Sequence, residues 1–462
     1  MTLIKSISGI RGTIGGHVGD NLTPIDAVKF ASAYGTWIKQ QRDKENYKVV
    51  VGRDARISGE MIQNLVMNTL IGLGIHVVDL GLSTTPTVEV AVPMEHADGG
   101  IILTASHNPK QWNALKLLDD KGEFLNGEEG AKILKIAEGT DMSFADVDSL
   151  GKITINDAYI DLHIDEVLDM DLVDVEAIKN AKFKVVVDGV NSTGGIAIPL
   201  LLERLGVHPV KLFCDPNGHF PHNPEPLKEH LTDLSKAVVK ENADFGIVVD
   251  PDVDRLAFMD EKGEMFGEEY TLVACADYVL SKTKGNTVSN MSSTRALRDV
   301  TEKHGGTYEA SAVGEVNVVN LMKKNNAIIG GEGNGGIIYP ELHYGRDALV
   351  GVALFLSLLA ERKMNVSDLR ASYPNYYMSK KKIQLTPGLD VDGILSTMES
   401  NYAHENLTTI DGVKIDFSDS WVHLRKSNTE PIIRIYTEAP SQDAADTLAD
   451  KIISEIKAVA NI

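Results

Sequence analysis

Three stretches of this chain share one pattern: an apolar, β-branched strand, a polar loop, an amphipathic helix, then a glycine and a second strand. They are YKVVVGRDARISGEMIQNLVMNTLIGLGIHVVDLG, FKVVVDGVNSTGGIAIPLLLERLGVHPVKLF and, more faintly, NTVSNMSSTRALRDVTEKHGGTYEAS. A strand that is apolar throughout must be covered on both faces, and helices with apolar residues at i, i+3 and i+4 can cover it. Strand, helix, strand is a βαβ unit, and three copies about a domain length apart predict duplicated α/β domains. From about residue 375 the pattern changes. KKIQL, GVKIDF, SWVHLRKS and PIIRIYTEA read as strands and precede a helix over 441–459, so the last unit reads as α+β.

The 462 residues require several units, because a single hydrophobic core stops growing near ~250–300 residues. Composition shifts place them at 1–155, 156–255, 256–372 and 373–462, with LAFMDEKGEMFGEEY read as a hairpin opening the third. Lys and Arg total 45 against 66 Asp and Glu, a net charge of −21 that repels nucleic acid and anionic lipid. An anionic ligand must therefore meet a local arginine cluster or a metal. Cys214 and Cys275 cannot build a disulfide framework, and the opening MTLIKSISGIRG lacks the apolar core of a secretory signal. The longest apolar run, 349–360, falls short of the roughly 20 residues that span a bilayer. The expectation is a soluble cytoplasmic protein with neither nucleic acid nor membrane as partner.

Four loops carry the chemistry, each following an apolar strand, where open α/β sheets place ligands. In GGIILTASHNP, Ser106 sits on a turn beside small Ala105, and Asn108 and Pro109 enforce the loop. Ser106 reads as a nucleophile or phosphate carrier with His107 at hand; the G-x-S-x-G elbow of hydrolases is absent. In GIVVDPDVDR, Asp250, Asp252 and Asp254 crowd three carboxylates into five residues, a repulsion that a hard divalent cation resolves. Carboxylate oxygens with few neutral ligands suit Mg²⁺, and the further ligands of an EF-hand are missing.

The third loop, IIGGEGNGGIIYP, matches G-x-G-x-x-G at Gly331, Gly333 and Gly336, yet continues as β-like IIYP rather than the helix a dinucleotide site requires. It presents instead Glu332 and Asn334, an acceptor and an amide suited to sugar hydroxyls or an amine. The fourth, HLRKSNTEPIIRIY, gathers Arg425, Ser427, Asn428 and Thr429, with Arg434 on the next strand, the donors a phosphate dianion takes. Arg11 in SGIRG, and Arg53 and Arg56 in VGRDARISG, either bind an anion or pair with Asp54. The loop DGVNSTGG reads as a structural turn of the second repeat.

TASHNP, DPDVDR, the Gly–Glu–x–x–Gly loop and R-x-SNTEP, in this order along the whole chain, resemble the α-D-phosphohexomutase superfamily. The resemblance implies three related mixed α/β domains plus a smaller C-terminal α+β domain around a central cleft, one loop from each. It implies that Ser106 is a phosphoserine whose phosphate joins Asp250, Asp252 and Asp254 on Mg²⁺, and that a sugar phosphate passes through a hexose 1,6-bisphosphate, which also serves as activator. Arg255 would steady the phosphoryl oxygens, and Lys116, in NALKLL, would act as general acid or base if its pKa is depressed. Arg11 and His107 would lie beside the phosphoserine, and Arg425, Ser427, Asn428 and Thr429 would hold the other phosphate.

Two positions depart from the family pattern. Gly336 stands where many relatives carry His, and AVGEVNV has Glu315 and Val316 where relatives often carry a basic residue or His, which leaves His343 in ELHYGRDA as the expected second acid or base. GEGNGG with VGEVNV resembles the archaeal-type branch assigned to phosphoglucosamine mutases, with phosphomannomutase/phosphoglucomutase as the alternative. A metal-dependent sugar phosphatase or a noncatalytic sugar-phosphate sensor would not need Ser106 beside the triad. The oligomeric expectation is a monomer or homodimer.

Overall fold

The computed structural model describes residues 2–6, 9–384, 389–426 and 432–460. Its strands form four sheets, and the first three repeat one plan. In the first sheet Ile75–Leu82, Tyr47–Arg53 and Gly99–Leu103 run parallel, with Trp112–Leu118 antiparallel beyond them. In the second, His208–Leu212, Lys184–Asp188 and Phe245–Val249 are parallel and Leu256–Met259 antiparallel. In the third, Tyr308–Ser311, Asn286–Asn290 and Ala327–Glu332 are parallel and Gly336–Ile338 antiparallel. The first sheet adds Gly9–Thr13, Ile4–Ser6 and Ile153–Ile155 at its margins. The fourth sheet pairs Tyr377–Gln384, Ile432–Ala439, Trp421–Lys426, Val413–Asp416 and Asn406–Thr408 antiparallel, against the helix Gln442–Ala460.

This plan fixes where chemistry can occur. Each of the first three functional loops joins the last parallel strand to the antiparallel one: 104–111, 250–255 and 333–335. The three loops therefore hold the same topological position in three copies of one unit. Leu256–Met259, expected to open the third unit, instead hydrogen-bonds to Phe245–Val249 and completes the second sheet. A hairpin pattern does not tell which sheet receives its first strand, and the second unit therefore runs past residue 255.

The apolar run 349–360 forms the helix Ala348–Arg362, capped by Asp347, whose carboxylate accepts N–H bonds from Leu349 and Val350. It is apolar nearly all round because two domains pack on it. Phe355 stacks on Phe258 of the second sheet at 3.7 Å between ring centroids and meets Phe245 edge to face. One core consequently runs through the second and third units, whereas the last has its own around Ile415, Val422, Ile433 and Ile452. No helix among the described residues is long and apolar enough to cross a membrane.

Candidate active site

Ser106 adopts a left-handed backbone conformation, φ +48°, uncommon for a residue with a Cβ, and the loop around it must sustain that. Arg56 does so. Its buried guanidinium donates to the carbonyls of Ser106 (2.5 Å), Asn108 (2.7 Å), Pro109 (2.8 Å) and Trp112 (3.0 Å), and to Asp54 Oδ2 (2.9 Å). Of the two roles open to Arg56, pairing with Asp54 is the one observed, extended to a scaffold for the serine loop. Thr104 Oγ1 accepts the Ser106 N–H at 2.9 Å.

The serine reaches across to the second unit, where Ser106 Oγ donates to Asp250 Oδ2 at 2.6 Å. Asp250, Asp252 and Asp254 are fully buried, and each offers a carboxylate oxygen within 4.8 Å of the others'. The turn that gathers alternate residues on one side puts β-branched Val253 at φ +65°, a strained conformation. Ser192 and Thr193, from DGVNSTGG, brace this turn through the Pro251 carbonyl at 2.7 and 2.9 Å, which is the structural role expected of that loop. Thr85 Oγ1 holds Asp252 Oδ2 from the first unit at 2.6 Å.

Burial, then the Asp254 and Asp252 charges, push the Asp250 carboxyl well above its ordinary value. For Asp254 burial acts the same way but is outweighed by Arg346, Lys116 and Arg255, which hold it below. Asp252 Oδ1 and Asp254 Oδ1 are buried without a hydrogen-bond partner. Hard oxygens crowded together, two of them unsatisfied, are the donor set a Mg²⁺ ion fits.

Lys116 Nζ lies 2.7 Å from Asp252 Oδ2 and 3.4 Å from Asp254 Oδ2. Burial alone would lower its pKa, but the two carboxylates prevail and raise it. The lowered pKa on which an acid or base role for Lys116 was conditional is therefore not what its surroundings favour; they favour the ammonium. His107 Nδ1 stands 3.3 Å from Ser106 Oγ, and burial followed by the Arg255 charge holds the imidazole well below its ordinary pKa, in the neutral form.

Arg11 is lowered by burial and by the neighbouring charges of Arg255 and Arg434. Three guanidiniums from the first, second and fourth units thus share one region, and the buried Nε atoms of Arg11 and Arg255 have no hydrogen-bond partner. Such a cluster is built for a multiply charged anion. Arg425 pairs with Asp411 at 2.9 Å and faces Arg434 across the sheet. Ser427, Asn428 and Thr429 lie outside the described residues.

The third loop differs from expectation in detail. It is a hairpin, as its rejection as a dinucleotide motif requires. Asn334, expected to face a sugar, closes the turn by accepting the Gly336 N–H at 3.2 Å. Glu332 is buried and engaged by Asn290 Nδ2 (2.9 Å), Gly314 N (3.2 Å) and Arg346 (2.9 Å). Arg346 went unnoticed in the sequence although it stands in ELHYGRDA; it also binds Asp254 at 2.7 Å and Glu315 at 3.1 Å, joining metal loop to sugar loop. Glu315 thereby acquires a reason: it completes Arg346 where relatives would place a base. His343 has Nε2 3.1 Å from Asp347 and Nδ1 3.3 Å from Glu89, so both nitrogens face buried carboxylates rather than a substrate.

Comparison with known proteins follows the same division. Models described as phosphoglucomutase/phosphomannomutase alpha/beta/alpha domains I, II and III and C-terminal domain match residues 3–143, 159–263, 267–377 and 378–455. The chain is 36% identical to a phosphoglucomutase/phosphomannomutase of Thermococcus kodakarensis, over 94% of this chain and 95% of that one. It is 32% identical to a phosphoglucosamine/phosphogalactosamine mutase of Sulfurisphaera tokodaii, covering 96% and 97%. A solved phosphoglucomutase/phosphomannomutase family protein from Burkholderia thailandensis superposes with a TM-score of 0.84 at 26% identity, covering 98% of each chain.

Proposed function

The chain belongs to the phosphoglucomutase/phosphomannomutase family of phosphohexomutases, a class of isomerases, and from that premise we propose that it is a phosphoglucosamine mutase. It would interconvert glucosamine 6-phosphate and glucosamine 1-phosphate through phosphorylated Ser106 and a 1,6-bisphosphate. The observation that carries a phosphoryl-carrying serine is the 2.6 Å contact of Ser106 Oγ with Asp250, at the seam of two units and beneath His107.

Phosphate on Ser106 would complete a Mg²⁺ site with Asp250, Asp252 and Asp254, and the ion would supply charge neutralisation on the transferred group. A sugar hydroxyl oxygen attacks the phosphoserine phosphorus; one P–O bond forms as the bond to Ser106 Oγ breaks, and the hydroxyl proton ends on Oγ. His107, neutral and 3.3 Å from Oγ, is placed to carry that proton. Lys116 stays charged beside the triad, Arg255 and Arg11 hold phosphoryl oxygens, and Arg425 and Arg434, with Ser427, Asn428 and Thr429, hold the phosphate that does not react. The bisphosphate then turns over and returns its other phosphate to Ser106.

The case for an amino sugar is electrostatic. Once Mg²⁺ and Lys116 offset the three aspartates, and Arg11 and Arg255 the Ser106 phosphate, Arg346 faces both Glu332 and Glu315, an excess of one buried negative charge. Burial pushes the Glu315 carboxyl up against the opposing pull of Arg346, so the site gains from a cation. A glucosamine ammonium would supply it; the hydroxyl of glucose or mannose would not. Glu332, on which a salt bridge to the ammonium and hydrogen bonds from the hydroxyls of glucose or mannose would equally draw, is already engaged by three groups, so it does not separate the two readings.

The test is a parallel assay with Mg²⁺ and a trace of hexose 1,6-bisphosphate on glucosamine, glucose and mannose phosphates, beside Ser106→Ala. Fastest turnover of the glucosamine substrate, lost in the variant, supports the proposal. A glucose or mannose preference moves the specificity, and release of free phosphate overturns the mutase reading.

A further inference from the structure

Behind the active site the protein carries a second cluster of metal-binding chemistry, of a different kind from the aspartate triad. His163, on the helix Tyr159–Leu168, and His343 both direct Nε2 at one atom, Asp347 Oδ2, at 2.9 and 3.1 Å. These three ligand atoms lie within 4.8 Å of one another, and His163 and Asp347 are fully buried. The rings stand nearly perpendicular, 82°, with centroids 6.2 Å apart. Asp347 Oδ1 is taken by the helix N–H groups of Leu349 and Val350, so only Oδ2 is presented to the histidines.

The outer contacts accommodate the tautomer that a metal needs. His163 Nδ1 lies 2.9 Å from Thr87 Oγ1, and His343 Nδ1 lies 3.3 Å from Glu89 Oε2. A ring that keeps its proton on Nδ1, facing a hydroxyl or carboxylate, leaves the Nε2 lone pair free to ligate. Glu89 adds an independent sign. It is fully buried, and neither carboxylate oxygen has a hydrogen-bond partner. Without an ion, both Nε2 atoms converge on the single oxygen Asp347 Oδ2, and Glu89 has the 3.3 Å approach of His343 Nδ1 but no hydrogen bond. With a divalent ion, both Nε2 atoms and Asp347 Oδ2 would be engaged together as ligands.

We propose that His163, His343 and Asp347 bind a divalent transition-metal ion, zinc in the first instance, with Glu89 and Thr87 orienting the two imidazoles. Two nitrogens and one oxygen match a three-ligand zinc set with a remaining position for water, and imidazole disfavours Mg²⁺. Bonds of about 2.0–2.1 Å to a tetrahedral zinc separate ligands by roughly 3.3 Å, so the observed 2.9 and 3.1 Å need only a slight opening. The ion would join the helix Tyr159–Leu168 of the second unit to the start of Ala348–Arg362 in the third, with Thr87 and Glu89 on the helix Thr85–Met94 of the first contacting the two imidazoles. Asp347 directly follows Arg346, the residue that joins metal loop to sugar loop, so the pin fixes the back wall of the catalytic cleft.

The experiment uses the whole protein, stripped with a chelator and then equilibrated with a large excess of Mg²⁺ and a slight molar excess of Zn²⁺ over the chain. Elemental analysis after gel filtration is expected to find about one zinc per chain, with Zn²⁺ raising the melting temperature. His163→Gln and His343→Gln lose that zinc and its shift while melting like the zinc-free parent, and Asp250→Asn, in the triad, retains both. Glu89→Gln, which leaves every ligand in place, weakens zinc about 10- to 100-fold. Cobalt(II) substitution gives the visible bands of a low-coordinate site in the parent and in Asp250→Asn. Substoichiometric zinc in the parent, zinc kept by both histidine variants, or zinc lost from Asp250→Asn overturns the proposal.

Discussion

Replacing Arg56 by lysine isolates what the serine loop requires. The arginine makes five hydrogen bonds at 2.5–3.0 Å, one to Asp54 and four to main-chain carbonyls of residues 106, 108, 109 and 112. A lysine ammonium has three donors on one atom, so at least two of these acceptors lose their partner in a place where Arg56 itself is 1% exposed. Hydrogen bonds to charged groups are worth about 1.5–3 kcal/mol each, which puts the loss at about 3–6 kcal/mol. The loop can open without unfolding its domain, so the loss should appear as local opening rather than global denaturation. Hydrogen exchange of the Asn108 and Trp112 amides, bonded to the Ala105 and Pro109 carbonyls, reads it directly. Protection should fall by about two to four orders of magnitude, with retained phosphate on Ser106 and kcat falling together. Protection within about tenfold of the parent would refute the reasoning, because the guanidinium would then not be what holds Ser106 at positive φ.

Asp250→Asn keeps the local hydrogen bonds, its oxygen accepting the Asp254 and Arg255 N–H groups and its amide meeting Ser106 Oγ, while one crowded charge is removed. In chelator it should melt no lower than the parent, yet lose activity and the stabilisation of about 2.7 kcal/mol that Mg²⁺ gives at a hundred times its Kd, as differential scanning fluorimetry would show. His423 bridges the third and fourth units through Ser292 Oγ at 2.8 Å and the Asp411 carbonyl at 2.7 Å, and burial lowers its pKa to about 4. Because the folded pKa lies below the unfolded one, this contribution, at most about 3 kcal/mol, is complete above pH 6.5 and is lost as pH falls toward 4; unfolding of His423→Gln should be flatter over that window. Glu315→Gln removes the excess charge beside Arg346, and the ratio of kcat/KM for glucosamine over glucose phosphate should drop about tenfold, a change of 1.4 kcal/mol; an unchanged ratio removes the electrostatic case for an amino sugar.

What the sequence showed and what it hid have a common cause. Ser106 and the three aspartates were legible because each stands at the end of an apolar strand, where local pattern alone places a loop at the sheet's carboxyl edge. Arg346 and Arg56 were not, since their partners are carbonyls and carboxylates brought together only by tertiary structure. Asn334 was misplaced because an amide that closes a hairpin and one that reads a sugar look alike in a string of glycines. Lys116 was given an acid or base role on the condition of a lowered pKa, and burial does act that way; two aspartates from another unit reverse the outcome. The long apolar helix announced that it was buried but could not announce that Phe258 of the second sheet would stack on its Phe355.

That stacking divides the molecule mechanically. The second and third units share one apolar core, so relative movement between them would expose buried aromatic surface. The first unit is tied to both by Ser106 on Asp250, Thr85 on Asp252, Thr87 on His163 and Glu89 on His343. The fourth has its own core, and among the described contacts it meets the third through polar groups: Arg295 with the Ser420 carbonyl at 2.8 Å, its N–H with Glu438 at 3.1 Å, and His423 with Ser292. Polar contacts can be exchanged for water at little net loss, whereas an aromatic core cannot. On the proposed function, a bisphosphate that must be released, turned and gripped again would find its low-resistance hinge at the boundary before residue 377. Ser106, the aspartates and Glu332 would then stay fixed while Arg425 and Arg434 of the last unit open and close over them.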